Sequence, residues 1–166
     1  KDGESVDYGF VGDIDSVEAD ILRKQLDNGL MPVVSPLSCD ESGTLLNINA
    51  DTVAAAIAAE LGAEKLILVT GATGILEDIN DPTSLISYID RKRLKELREE
   101  GILADGMLPK AAAIDAAIRN GVSRVHVISY KLADSILLEV FTNEGTGTLV
   151  VDDITALTPE EQAADS

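Results

Sequence analysis

The chain is poor in cysteine, aromatic residues and positive charge. A single cysteine among 166 residues excludes an internal disulfide framework. Tryptophan is absent and aromatic residues make up 3 %, so a core drawn from the 45 % of hydrophobic residues must be aliphatic. No apolar run approaches the ~20 residues of a membrane helix, and the first residues are not typical of a signal peptide. We therefore expect one ordinary domain in a cytoplasmic protein.

The shortage of basic residues also limits the partners. Thirty acidic residues against thirteen basic ones give a net charge of −17. Nucleic acid is then not an expected partner, because phosphate backbones attract basic surfaces. The same charge repels any phosphate-bearing ligand unless local donors overcome it. A solvated surface adapted to high salt and a role in binding cations are both open explanations of the acidity.

Apolar patterns along the chain predict alternating helices and strands. The predicted helices cover 15–28, 51–61, 90–100, 107–120 and 133–141. The predicted strands cover 30–35, 44–48, 65–70, 122–129 and 146–151. This alternation favours an open three-layer α/β sandwich with a largely parallel sheet over residues 1–151, followed by an acidic tail at 152–166.

Two short clusters stand where a loop enters an Ala-rich helix. One runs from Asn47 to Asp51 and the other from Gly106 to Lys110. Unpaired N–H groups and the positive end of the helix dipole collect at such places, so anions bind there. Lysine is mildly unfavourable in a first helical turn, which favours a functional role for Lys110. Asp51 could instead cap its helix or serve as an acid in its first turn, and Asn47 could serve a turn.

Other residues with chemical potential give weaker signals. The segment after the predicted strand at 65–70 lies at the carboxyl end of a strand, where open α/β sheets bind ligands. His126 falls within a predicted strand, which favours a packed, hydrogen-bonded histidine over a catalytic one. Cys39 has no histidine or cysteine companion, so a metal site or a nucleophile is not expected there.

Several motifs together resemble the C-terminal half of acetylglutamate kinases, which belong to the amino acid kinase family. The resemblance runs from about Val6 to Val151. It rests on the segments at 7–13, 47–51, 61–66, 74–76, 105–110 and 145–148. The Asn-x-Asn-Ala-Asp piece followed by Gly-Met-x-x-Lys is its most specific part.

The resemblance implies transfer of the ATP γ-phosphate to the γ-carboxylate of N-acetyl-L-glutamate, with Mg²⁺ held mainly through the nucleotide phosphates. This step belongs to arginine synthesis, and the complete enzyme is expected to be a homo-oligomer. By position, Asn47 resembles the residue that holds the amino acid. Asp51 resembles the catalytic organiser, and Lys110 one of two lysines that stabilise the transferring phosphoryl group. The nucleotide-binding residues implied are Gly71, Ala72, Thr73, Gly74, Ile75, Leu76, Ile102, Leu103, Ala104 and Met107.

The family's N-terminal half has no counterpart in this sequence. That half carries a glycine-rich phosphate loop, the second lysine and most of the lid over the substrate. The chain is therefore expected to be a nucleotide-binding half. Arginine-inhibited members carry an N-terminal helix and a Gly-Arg-x-x-His stretch before a Leu-Leu-Glu. Here the stretch reads Tyr-Lys-Leu-Ala-Asp at 130–134 and only Glu139 of the later piece remains, so arginine regulation is not expected. A family kinase for another acylated or carrier-bound acidic amino acid, or a non-catalytic nucleotide-binding module, stays open.

Overall fold

The computed structural model describes residues 9–103, 105–142 and 145–156. Its helices are α1 (Ala19–Asp27), α2 (Ala50–Leu61), α3 (Arg91–Glu99), α4 (Leu108–Arg119) and α5 (Ser135–Phe141). Its strands are β1 (Leu37–Cys39), β2 (Leu45–Asn47), β3 (Lys65–Thr70), β4 (Tyr88–Asp90), β5 (Arg124–Ser129) and β6 (Thr148–Val151). Short 3₁₀ turns cover Asp105–Met107 and Ile154–Ala156.

The main sheet has the strand order β3-β5-β6-β4. β3 runs parallel to β5, and β4 runs parallel to β6, whereas β5 and β6 are antiparallel. The predicted largely parallel sheet is confirmed, with one antiparallel pair at its centre. β1 and β2 form a separate antiparallel hairpin.

Successive residues of β5 contact helices on opposite faces of the sheet, which shows that the molecule has three layers. Val125 and Val127 are fully buried in the aliphatic core formed with the helices α2, α3 and α4. His126, between them, contacts Glu139 of α5. Since neighbouring residues of a strand point to opposite faces, α5 covers the face opposite the other three helices. The predicted three-layer α/β sandwich is thus confirmed.

The helix α2 shows how local sequence sets these elements. Asn49 precedes it in an extended conformation, and its side chain accepts hydrogen bonds from the first helical N–H groups. Small residues fill most of the helix, so α2 packs closely against α4 and β3. Gly62 ends the helix with a φ of 67°, a left-handed conformation that glycine adopts without a steric penalty.

The strand predicted over residues 30–35 is wrong. This stretch has no strand, and Met31 and Val33 are 88 % and 95 % exposed. An apolar sequence forms a strand only where a neighbouring strand pairs with it, and no described strand does so here. β1 and β4 were not predicted; each has only three residues, a length at which the sequence pattern is weak, although β2 of the same length was predicted.

Some predicted features fall outside the described residues. They include Ala104, the start of the first family-like segment at residues 7–8, and positions 157–166 of the predicted tail. Within the part of the chain that the structure describes, no helix is both long enough and apolar enough to cross a membrane.

Candidate active site

An ion pair joins the two clusters that the sequence singled out. Lys110 Nζ lies 2.8 Å from Asp51 Oδ1 and donates a hydrogen bond to it. The Lys110 side chain is only 10 % exposed and that of Asp51 26 %, so the pair is largely withdrawn from water. The two residues are 59 positions apart in the sequence, and the packing of α2 against α4 brings them together. A charge-assisted bond of this length fixes the position of both groups.

Asn49 holds the carboxylate side of this pair in place. Its Oδ1 accepts hydrogen bonds from the backbone N–H groups of Asp51 at 3.0 Å and Thr52 at 3.2 Å. Asn49 is therefore the N-cap of α2, so the alternative of Asp51 as the cap is wrong, whereas the alternative of Asp51 as an acid in the first helical turn is confirmed. The Asp51 side chain is left to bond Lys110. Asn directly before an Ala-rich helix is a recognisable capping signal, so the sequence could have revealed this role.

The electrostatics at the pair favour an anion. α2 and α4 each end a few residues before β3 and β5 begin, so both helices run back across the sheet. Their N-termini therefore lie at the edge where the parallel strands β3 and β5 end. Each terminus contributes roughly half a positive charge. Together with Lys110 they exceed the single negative charge of Asp51 by about one unit, despite the acidity of the chain.

Asn47 lies at the end of β2 and is exposed. Its backbone pairs with the segment 10–12, since its N–H donates to Phe10 O at 2.7 Å and its C=O accepts from Gly12 N–H at 3.0 Å. The structure thus places Asn47 at the end of a paired strand, just before Asn49. Among the described residues it shows no hydrogen bond between Asn47 and Lys110, and the role of Asn47 stays a prediction.

The two segments that are expected to bind a nucleotide line one small apolar cavity. Its volume is about 110 Å³. The predicted residues on its wall are Ala72, Gly74, Ile75, Leu76, Ile102, Leu103 and Met107, joined by Ile79, which the sequence did not indicate. Gly71 and Thr73 are not part of the wall. Met107 stands one helical turn before Lys110, so the cavity and the ion pair adjoin along the start of α4.

Two larger grooves flank the segment 13–17 but suit an anion poorly. Their volumes are about 780 and 590 Å³. Asp13 and Asp15 line both grooves, and Glu60 lines the larger one. The carboxylates repel phosphate, so size alone does not make these grooves the better candidates.

His126 belongs to a buried hydrogen-bond network on the other side of the sheet. Its Nδ1 donates to Glu139 Oε1 at 2.5 Å. The other Glu139 oxygen accepts from the backbone N–H and the hydroxyl of Thr146, at 2.8 and 2.9 Å. His126 Nε2 is buried and has no hydrogen-bond partner in the described part of the chain. The prediction of a packed, hydrogen-bonded histidine is confirmed.

The Glu139 network makes stability depend on pH. Burial raises the pKa of Glu139, but the hydrogen bonds from His126 and Thr146 outweigh it and hold that pKa below its ordinary value of 4.5. The stabilisation is therefore complete above about pH 4.5 and is lost as the pH falls through the lowered pKa. We expect Glu139→Gln to lower the free energy of unfolding by about 1–3 kcal/mol at pH 6 and by progressively less towards pH 3. Urea unfolding at a series of pH values measures this difference.

Glu41→Gln is the matched control, because Glu41 is exposed. Its unfolding free energy should follow that of the wild type across the same range. A gap between wild type and Glu139→Gln that stays constant from pH 6 to pH 3 would contradict the role given to this network.

No group of three or more potential metal ligands converges among residues 9–103, 105–142 and 145–156. The Asp51 carboxylate, nearest the proposed site for phosphate, is already bonded to Lys110. The described residues thus do not build a metal cage of their own.

Comparison with known proteins identifies the family. Residues 1–129 match the model of the amino acid kinase family, and the chain therefore belongs to that family. The curated relatives include the acetylglutamate kinases of Methanosphaera stadtmanae, 48 % identical over 145 residues, and Archaeoglobus fulgidus, 46 % identical over 153 residues. These alignments cover 87 % and 90 % of this chain but 49 % and 53 % of the relatives. The chain spans about half the length of the curated relatives it matches.

Solved structures agree on the fold. An N-acetylglutamate synthase from Neisseria gonorrhoeae, complexed with coenzyme A and L-arginine, matches with a TM-score of 0.81 at 28 % identity. The match covers 89 % of this chain and 34 % of that one. A carbamate kinase from Giardia lamblia bound to AMP-PNP matches with a TM-score of 0.66 at 20 % identity, over 82 % of this chain and 45 % of that one. At that identity the second match concerns the fold alone.

Proposed function

We propose that this chain is the nucleotide-binding half of an ATP-dependent kinase that phosphorylates the γ-carboxylate of N-acetyl-L-glutamate, in arginine synthesis. The observation that carries the proposal is the contact between Lys110 and Asp51 at two converging helix N-termini. Similarity to acetylglutamate kinases at 45–48 % identity supports the choice of substrate. A related kinase for another acylated acidic amino acid remains the nearest alternative.

The chemistry requires little more than alignment and charge. A carboxylate acceptor is already ionised near pH 7, so no general base is needed. Phosphoryl transfer then depends on positioning both substrates and stabilising charge on the phosphoryl oxygens. Lys110 supplies that positive charge, Asp51 orients Lys110, and the helix N-termini present N–H groups to phosphate. Asn47, at the end of β2, would hold the amino-acid substrate.

The nucleotide would lie across the cavity and the ion pair. The apolar wall formed by Ile75, Leu76 and Leu103 suits the face of a purine base. Phosphates extending along the start of α4 from Met107 would reach Lys110. Mg²⁺ would enter with the nucleotide, held by its phosphates, since the described residues offer no cage for it.

A non-catalytic nucleotide-binding module is the second candidate. The observation that favours it is that Lys110 is the only described lysine that is buried. The other described lysines are all exposed: Lys24, Lys65, Lys92, Lys95 and Lys131. None of them stands where it could replace a second phosphate-stabilising lysine. A module of this kind would bind nucleotide and form no acyl phosphate.

Nucleotide binding is the first test of either candidate. We expect Mg-ATP and Mg-ADP to bind the 166-residue chain weakly, with heat detectable by calorimetry at millimolar nucleotide and moderate salt. Ala72→Leu fills the cavity and should weaken binding by about tenfold or more, equivalent to about 1.4 kcal/mol.

Ala133→Leu makes the same change at an exposed position that is not part of the cavity wall and should leave the affinity unchanged. Absence of both heat and a thermal shift with the wild-type chain would contradict nucleotide binding. Equal weakening by both variants would argue against this cavity as its place.

A further inference from the structure

The Gly145–Thr148 segment leads into β6 through a very close backbone contact. A Cβ atom on Gly147 would lie 2.0 Å from the carbonyl oxygen of Val127, so a side chain there is sterically impossible without a shift of the backbone. The absence of a side chain lets Thr148 pair with Val127 at the start of the antiparallel contact between β5 and β6. The glycine therefore fixes where Thr148 sits.

Thr148 reaches from β6 to the loop after β3. It is completely buried, and its Oγ1 accepts a hydrogen bond of 2.8 Å from the backbone N–H of Ile75. Gly74 packs against the same hydroxyl, because a Cβ atom there would lie 2.7 Å from it. The Thr148 hydroxyl thus accepts from the buried N–H of Ile75, 73 residues away in the sequence, and holds the loop that follows β3 in place.

The seated loop is one wall of the apolar cavity. Gly74, Ile75 and Leu76 all line it, and Ile75 is 1 % exposed. If the Ile75 N–H lost its acceptor, the loop would favour conformations in which that group meets water. In those conformations the wall is displaced, so a smaller fraction of molecules is ready to bind.

We propose that Thr148 is a positioning residue for the nucleotide: its buried hydroxyl holds the Gly74–Leu76 loop in the conformation that binds a nucleoside di- or triphosphate. The inference rests on the proposed function, since it assumes that the cavity receives the nucleotide. Thr148 does not line the cavity itself and acts through Gly74 and Ile75 of the loop.

Thr148→Val tests this with little change of shape, because valine replaces the hydroxyl with a methyl group. We expect calorimetry with Mg-ADP to give an affinity about tenfold weaker than that of the wild type. Thr148→Ser keeps the acceptor and should bind within about twofold of the wild type. Thr146→Val is the matched control: it removes a hydroxyl in the same segment that bonds Glu139 instead of the loop, and it should leave the affinity unchanged.

The outcomes separate the two proposals. No binding by the wild type would overturn the proposed function and this inference with it. Binding by the wild type together with equal affinity of Thr148→Val, or equal weakening by Thr146→Val, would overturn the inference alone. If Thr148→Val does not fold, amide hydrogen exchange of the wild type and of Thr148→Ser provides the test. In both proteins the Ile75 amide should be as protected as the amides of β3. Rapid exchange of the Ile75 amide in either protein would overturn the role of Thr148.

Discussion

Replacing Lys110 with alanine should lower kcat by about 10²-fold or more, by analogy with the loss of one preorganised donor. The experiment uses the chain fused behind the N-terminal half of a related acetylglutamate kinase, so that both substrate sites are present. Lys110 is buried and held 2.8 Å from Asp51, and no described lysine could take its place. Its charge would act on the phosphoryl group mainly in the transition state, so KM for the nucleotide should change much less than kcat.

Asp51→Asn should have a comparable effect through a different cause. Asparagine keeps the size of the side chain but removes the charge that orients Lys110. Lys95→Ala is the matched control, because Lys95 is 76 % exposed and pairs only with Glu99 on the surface of α3. Steady-state kinetics of the three variants would contradict the assignment if Lys110→Ala retained the wild-type kcat, or if Lys95→Ala lost as much.

The second large effect is the difference in acyl-phosphate formation between the 166-residue chain and the fusion. Transfer requires both substrates aligned to within about an ångström and charge stabilised on both sides of the phosphoryl group. The described residues supply Asp51 and Lys110 but no second buried lysine. We therefore expect the 166-residue chain to make little or no acetylglutamyl phosphate, and the fusion to exceed it by about 10²-fold or more.

ADP release in a coupled assay measures this comparison. A fusion in which Lys110 is replaced by alanine controls for activity contributed by the added half alone. Robust turnover by the isolated chain would mean that the reaction does not need the residues assigned to the N-terminal half of the relatives.

The long, strongly patterned elements of this fold could be predicted from the sequence. The apolar run from Lys65 to Thr70 and the Ala-rich stretches of α2 and α4 are local signals that need no partner to be recognised. The strand β4 (Tyr88–Asp90) forms only because β6 pairs with it from 61 residues further along the chain, so its short sequence carries no signal of its own. The stretch 30–35 shows the opposite error: its apolar sequence predicted a strand, but no described strand pairs with it.

The site residues divide in the same way: local sequence marked some of them, whereas their contacts depend on packing between distant parts of the chain. Asp51 and Lys110 were singled out by their places at helix starts and by the resemblance, but their contact depends on how α2 and α4 pack. Asn49 had a local signal, that of a cap. The hydrogen bond from Ile75 to Thr148 had none, because it joins the loop after β3 to the start of β6 across 73 residues and depends on the order of strands in the sheet.

The identity of the phosphorylated product tests the central claim most directly. The fusion would be incubated with Mg-ATP, N-acetyl-L-glutamate and hydroxylamine, which traps an acyl phosphate as a hydroxamate, and the product would be identified by mass spectrometry. We predict the γ-hydroxamate of N-acetylglutamate, formed in proportion to ADP and about 10²-fold or more slowly when Lys110 is alanine. ATP consumption without hydroxamate, or a hydroxamate formed only from a different acidic amino acid, would contradict the account.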